Sequence, residues 1–132
     1  NIPAKFRQSL SEDNYNTFVI SRGMDPCIYV YPLIQWKEIE KNLRRLSSLS
    51  SVNRTFIRNT ARYATPSTYD KQGRIGLSPD LIKYSKLDKE VRIIGMVNKM
   101  EIWNPLQLIK TDKNNINIDP QAYDDLADKI TL

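Results

Sequence analysis

Asp70-Lys71-Gln72-Gly73-Arg74-Ile75-Gly76-Leu77-Ser78-Pro79 reads as a strand end, a tight turn, a second strand and a helix start. Asp70 and Gly73 bracket a four-residue reversal, and Gly73 can take a positive φ without steric penalty. Arg74, Ile75 and Leu77 continue as an extended run with Ile75 and Leu77 on one face. Ser78 suits an N-cap, Pro79 the first helical position, and Asp80 the positive end of the helix dipole. The chain opens on what resembles the end of the same unit. Asn1-Ile2-Pro3-Ala4-Lys5-Phe6-Arg7 lines up on Gly76-Leu77-Ser78-Pro79-Asp80-Leu81-Ile82. An earlier copy of the turn is therefore expected just before residue 1, and a chain beginning at Asn1 rather than Met is expected to have lost its own start.

A second match extends the repeat. Residues 18–32 align without a gap on residues 91–105, so that Phe18 meets Val91 and Pro32 meets Pro105. Both stretches run strand, turn, strand, then proline at a helix start. The duplicated unit is thus strand, turn, strand, short helix, strand, turn, strand. Four short strands alone have bare edges and a half-covered apolar face. Two copies side by side remove both problems, and this predicts an intrachain pseudo-dimer.

Outward from the repeat, Ile2, Phe6 and Leu10 share a helical spacing in residues 1–10. Residues 15–21 and 27–31 are predicted strands, with Phe18 and Ile20 on one side of the first and Val19 on the other. Pro32 opens a helix whose stripe is Leu33, Trp36, Ile39, Leu43 and Leu46. A serine-rich linker follows, and Ser51 is the expected cap of a second helix to about residue 64, with Val52, Phe56, Ile57 and Tyr63 on its apolar face. Residues 66–69, 91–96 and 100–103 are predicted strands, and 80–85 a short helix. Asn104 and Pro105 start another helix, residues 110–117 read as irregular, and Asp119 with Pro120 starts the last helix, with Tyr123, Leu126 and Ile130 turned inward.

The 132 residues make one domain's length, with 40% hydrophobic and 27% charged residues and a net charge of +5. The excess is local. Residues 33–64 carry seven basic and two acidic groups, residues 65–109 seven and five, and residues 110–132 three and five. A basic middle points to an anionic partner or to a solvated surface. Arg54, Arg58 and Arg62 stand four apart and form one ridge, facing solvent, an anion, or a carboxylate of another subunit. The single Cys27 excludes an internal disulfide, fits a reducing compartment, and suits a buried small hydrophobe. The chain contains no histidine, and no metal-ligand cluster, phosphate loop or nucleophile elbow appears. No catalytic residue, metal, cofactor or small-molecule substrate is nominated, and no apolar run spans a membrane.

Asp70-x-x-Gly73-Arg74, the half-copy from Ile2 to Arg7, and Tyr29-Val30-Tyr31-Pro32-Leu33 with Trp36 resemble the MraZ family. Leu87-Asp88-Lys89-Glu90-Val91, Ile94-Gly95, Asn98-Lys99 and Glu101-Ile102-Trp103 fit its second unit. The resemblance covers nearly the whole chain to about residue 110. It implies an α+β chain of two tandem AbrB-like swapped-hairpin units. The first unit occupies residues 1–32 without its initial strand and turn, bridging helices 33–64, the second unit 65–109, and a helical tail 110–132. It also implies a ring-shaped homo-oligomer in the cytoplasm, at the nucleoid, binding repeated promoter sites and repressing the division and cell-wall gene cluster. The family's Asp–Arg pair carries over onto Asp70 and Arg74 alone.

The chemistry of these residues suits double-stranded DNA. A guanidinium can fork onto guanine O6 and N7 or clamp a phosphate, and Asp70 can hold it in one orientation. Lys5, Arg7 and Lys71 suit phosphate contacts. A local hairpin ion pair or a subunit contact are the competing roles for Asp70 and Arg74. Tyr29, Tyr31, Trp36 and Trp103 sit at core spacings rather than as a base-stacking platform. An oligomeric scaffold that binds a partner protein is the alternative function.

Overall fold

A computed structural model of the chain describes residues 17–131. The expected helix and strand end in residues 1–10, the start of the first strand at residues 15 and 16, and the sites Lys5 and Arg7 lie outside the described residues. The rest is α+β. Strands β1 (Thr17–Arg22) and β2 (Ile28–Pro32) lead into helices α1 (Leu33–Arg44) and α2 (Ser51–Arg62). Then come β3 (Thr65–Thr68), α3 (Pro79–Ser85), β4 (Arg92–Gly95), β5 (Met100–Trp103), α4 (Pro105–Asn114) and, after a 3₁₀ turn, α5 (Pro120–Lys129). All strand pairings are antiparallel, in the order β3-β1-β2-β5-β4.

Two hairpins, β1–β2 and β4–β5, meet along β2 and β5. The central pair is Tyr29↔Glu101, flanked by Ile28↔Ile102 and Val30↔Met100. Ile20↔Val30 in the first hairpin has its counterpart in Ile93↔Ile102 of the second. Under that equivalence Ile28 corresponds to Met100 and Tyr29 to Glu101, so a pseudo-twofold axis runs through the Tyr29–Glu101 pair. β3, which follows the bridging helices, crosses over to pair with β1 of the first hairpin. The halves thus exchange a strand, as the resemblance implies.

The gapless alignment of the halves is corrected by these registers. Arg22↔Ile28 leaves a five-residue loop, residues 23–27, whereas Gly95↔Met100 leaves four residues, 96–99. Beyond the loops the equivalence slips by one. Tyr31 corresponds to Trp103, and the helix cap Pro32 to Asn104 rather than to Pro105. A one-residue slip would otherwise turn every side chain after the loop to the opposite face.

Both faces of the sheet are covered. Phe18, Ile20, Ile28, Val30, Met100 and Ile102 pack with Leu81 of α3 on one side, joined by Tyr69, Ile75 and Leu77. On the other side Val19, Tyr31 and Trp36 pack with Leu33 and Ile39 of α1. Trp103 is 2% exposed and donates from Nε1 to Glu101 Oε1 at 3.0 Å. Cys27 is fully buried, and burial first, then Glu101 and Asp25, push its thiol up to about 12, which makes it a small hydrophobe. All four aromatic residues assigned to packing thus join or border the core, Tyr29 at its rim.

Several local expectations are corrected. Residues 74–78 are not a strand, because no neighbour offers them a ladder among the described residues; Ile75 and Leu77 nevertheless share the core face. Ser50, not Ser51, caps α2, its hydroxyl accepting from Asn53 N at 3.3 Å. Residues 110–117 are not irregular: α4 runs to Asn114, since lysine, threonine and aspartate extend a started helix at little cost. Val91 and Met96 flank β4 rather than belong to it. Leu46 lies beyond α1 and is exposed, and Val52 and Phe56 are exposed on α2. Tyr123, Leu126 and Ile130 share a face of α5 but are 62–67% exposed, so that face is not turned inward against any of the described residues. No helix among the described residues is long and apolar enough to cross a membrane.

Candidate nucleic-acid interface

The turn at residues 70–74 is held almost entirely by Asp70. Its carbonyl accepts from Gly73 N at 2.9 Å, and Gly73 takes φ 77°. Its N–H donates to Arg74 O at 2.9 Å. Its Oδ1 accepts from Gln72 N and from Arg74 N, each at 2.9 Å, an Asx-turn doubled by a second donor. Its Oδ2 accepts from Arg74 Nε at 2.8 Å. The backbone N–H of Arg74, followed by the guanidinium and Gln72 N–H, holds the Asp70 carboxyl below its ordinary range. It is therefore ionised at neutral pH, and the turn loses this support only as pH falls through that lowered value.

Among the described residues Arg74 is held on one side only. Nη2 donates to Gln72 Oε1 at 2.9 Å while Nε meets Asp70. A guanidinium has five N–H donors, so three, including both on Nη1, remain for a ligand. The side chain is 60% exposed, and Lys71 beside it is exposed. This arrangement can present a pre-oriented fork to a phosphate or a guanine edge. Ser78 closes the unit, its hydroxyl accepting from Leu81 N at 3.3 Å with Pro79 at the first helical position.

The second basic feature is a ridge on α2, and its members differ. Arg54 Nη1 donates to Ser48 O at 2.8 Å and Leu49 O at 3.1 Å, pinning the linker before the helix. The Arg62 guanidinium lies 5.8 Å from the Tyr63 ring. Arg58 is exposed. The ridge and the residue 70–74 turn are separate features; the described structure does not bring them into contact.

One constellation escaped the sequence. The Arg22 guanidinium lies 3.6 Å from the Tyr63 ring centroid and 4.6 Å from that of Tyr84. Tyr84 donates its hydroxyl proton to Gly23 O at 2.7 Å. Lys99 Nζ sits 4.9 Å from the Tyr29 ring centroid. These residues come from β1, the end of α2, α3 and both hairpins, and no periodicity links them. Among the described residues no group of three or more acidic, cysteine or histidine side chains could hold a metal ion.

Fold and turn together define a duplicated β-hairpin protein whose halves exchange a strand and display an aspartate-braced arginine. Comparison with known proteins narrows that class. The model of the family described as "MraZ protein, putative antitoxin-like" matches residues 1–59 and 61–125, two stretches in tandem. A protein of Halothermothrix orenii named transcriptional regulator MraZ is 45% identical over 103 residues, 78% of this chain and 69% of its own. One of Pediococcus pentosaceus bearing the same name is 36% identical over 129 residues, 98% of this chain and 85% of its own. A third, from Natranaerobius thermophilus and named alike, is 44% identical over 103 residues. The chain belongs to the MraZ family, and the name its relatives carry places that family in a non-enzymatic class.

Proposed function

We propose that this chain is a DNA-binding transcriptional regulator that reads double-stranded promoter DNA through Arg74. Its relatives are named transcriptional regulators, and the observation that supports this reading for the present chain is the half-engaged guanidinium. Asp70 and Gln72 fix its orientation and leave three donors outward. Lys71 neutralises phosphate next to it, and Lys5 and Arg7 supply further phosphate contacts. The regulator acts as a ring-shaped homo-oligomer at the nucleoid, in the cytoplasm, and represses its own division and cell-wall gene cluster. The working units are residues 1–32 and 65–109, joined by 33–64 and followed by the tail 110–132.

Fluorescence anisotropy against duplex from the chain's own upstream region tests this, at two salt concentrations and beside a scrambled duplex. Arg74→Ala is expected to weaken binding by about 1–3 kcal/mol and to erase the preference over the scrambled duplex. Lys71→Ala should weaken both duplexes alike and flatten the salt dependence. Asp70→Asn removes the charge that orients the guanidinium and should fall between them. Equal affinity of Arg74→Ala and the parent for both duplexes would sink the assignment. Partner binding that survives high salt without any DNA preference would favour the scaffold reading.

A further inference from the structure

We propose that the groove between α1, α2 and the sheet is a binding site for a small organic anion with a flat apolar body. The groove has a volume of about 790 Å³, within the range of small-molecule sites. Tyr29 and Tyr31 of β2 line it with Trp36 of α1, Phe56 of α2, Tyr63 at the end of α2, and Tyr84 of α3. Tyr29 and Tyr31 meet edge to face, 6.0 Å between ring centroids, and Tyr31 lies 5.6 Å from Trp36. The Tyr84 hydroxyl is already engaged, donating to Gly23 O at 2.7 Å. A lining of ring faces and edges offers packing to a planar apolar molecule. The groove lies on the α1 face of the sheet, whereas Ile75 and Leu77, beside the Arg74 turn, pack on the other. The proposal is therefore independent of the DNA-binding reading.

The sign of the ligand's charge follows from Arg22 and Lys99, both in the lining. The Arg22 guanidinium lies 3.6 Å from the Tyr63 ring centroid and 4.6 Å from that of Tyr84. A ring attracts the cation but offers no lone pair to its N–H edge. Nε is buried and finds no hydrogen-bond partner among the described residues. An anion at that edge meets a planar fork and relieves the cost of the unpaired donor. Lys99 Nζ stands 4.9 Å from the Tyr29 ring centroid and 5.8 Å from that of Tyr31. Its contact with Asn98 Oδ1 is 3.5 Å, long for a hydrogen bond. Glu101, which pairs with Tyr29 across the sheet, is engaged elsewhere, accepting from Trp103 Nε1 at 3.0 Å. Among the described residues no carboxylate forms an ion pair with Arg22 or Lys99. Two cations beside aromatic rings favour a carboxylate, sulfonate or phosphate carried on a flat apolar body. A neutral molecule of the same shape gains the packing alone.

Fluorescence titration of the full chain with anilinonaphthalene sulfonate tests this, beside phenylnaphthylamine, which has the same rings and no charge. The sulfonate is expected to bind once per chain and about tenfold more tightly than the neutral amine. Arg22→Gln should weaken the sulfonate by about tenfold and leave the amine unchanged. Lys99→Gln should weaken it by about threefold, as for a more open charge. Far-UV circular dichroism and melting temperature, read on each variant, ensure that only folded chains are compared. Asn59→Glu places a carboxylate at an exposed position of the lining, should also repel the sulfonate, and decides alone if Arg22→Gln does not fold. Parental affinity for the sulfonate in either folded variant overturns the proposal. Equal affinity of the parent for sulfonate and amine reduces the groove to an apolar surface and overturns it. A parent that binds neither has its groove filled by another segment or a second copy, which overturns it as well.

Discussion

The two hairpins occupy equivalent places about one pseudo-axis, yet they are not equally buried. β1 is covered on both faces and bonded on both edges, by β2 and by β3. Among the described residues β4 is bonded on one edge only, by β5, and its residues are half-buried or exposed. The chemistry follows position by position. Val19, 3% exposed beneath Trp36, corresponds to exposed Arg92, and Ile20, 2% exposed, corresponds to half-buried Ile93. A shared pattern of alternation therefore specifies the hairpin, while helix α1 and the exchanged strand β3 decide which copy becomes core. The inner strands show the converse: Ile28 and Val30 match Met100 and Ile102, all buried, because both lie at the axis.

The largest expected difference between the copies lies at that matched isoleucine. Ile20→Ala should destabilise by about 2–5 kcal/mol, the range for a buried isoleucine that leaves a cavity. Ile93→Ala should cost about 1–2 kcal/mol, because its site is already open to water. Urea denaturation of both variants at matched protein concentration decides it. Equal costs would mean that the outer edge of β4 is covered in solution, and would break the asymmetry.

The loops come next. Gly23 N donates to Cys27 O at 2.8 Å and Met96 N to Lys99 O at 2.7 Å, so the two residues close their loops in the same way. The five-residue loop folds tightly over its first residue. A Cβ on Gly23 would lie 2.6 Å from Cys27 Sγ and 2.9 Å from Asp25 O. Gly23→Ala should cost about 1–3 kcal/mol through this overpacking. Met96 is 40% exposed, and Met96→Ala should stay within about 0.5 kcal/mol. The four-residue loop instead places its strain at Val97, with φ 58°. Thermal melts of the two alanine variants give the comparison directly. A harmless Gly23→Ala would show that the loop relaxes around Cys27 and that glycine is not demanded there.

These loops also mark where reading the sequence stopped working. Local chemistry was legible. Ser78 with Pro79, Asn104 with Pro105 and Asp119 with Pro120 announce their helices because a cap is satisfied by neighbours within three residues. The residue 70–74 turn was legible for the same reason, down to the Asp70–Arg74 pair. The one-residue slip between halves was not, since loop length is set by closing bonds that composition does not show. Residues 74–78 have a strand's alternation, but a strand needs a neighbour. The stripe Tyr123, Leu126, Ile130 was visible, whereas its exposure among the described residues was not. Arg22 between Tyr63 and Tyr84 joins positions 41 and 62 residues away, and no spacing rule reaches that far.

The smallest contrast is at the exits of the two hairpins. Pro32 ends β2 and precedes α1 without any side-chain cap. Asn104, its counterpart, accepts from Leu106 N at 2.8 Å and from Gln107 N at 3.3 Å, and its Nδ2 donates to Lys86 O at 2.7 Å. α1 does without a cap because Trp36 anchors it to the sheet, whereas α4 contributes no buried residue. Its start depends on Asn104. Asn104→Ala should therefore cost about 1–2 kcal/mol, at the upper end for an N-cap because two further groups lose a partner. Asn104→Asp separates the two roles. It keeps the acceptor and places a negative charge at a helix N-terminus, which is favourable, but it cannot donate to Lys86 O. A cost near half that of alanine, read from urea midpoints at neutral pH, would divide the effect between cap and tie. A cost equal to that of alanine would assign it to the tie, and α4 would then be held by the left-handed end of α3, at Lys86, rather than by its own cap.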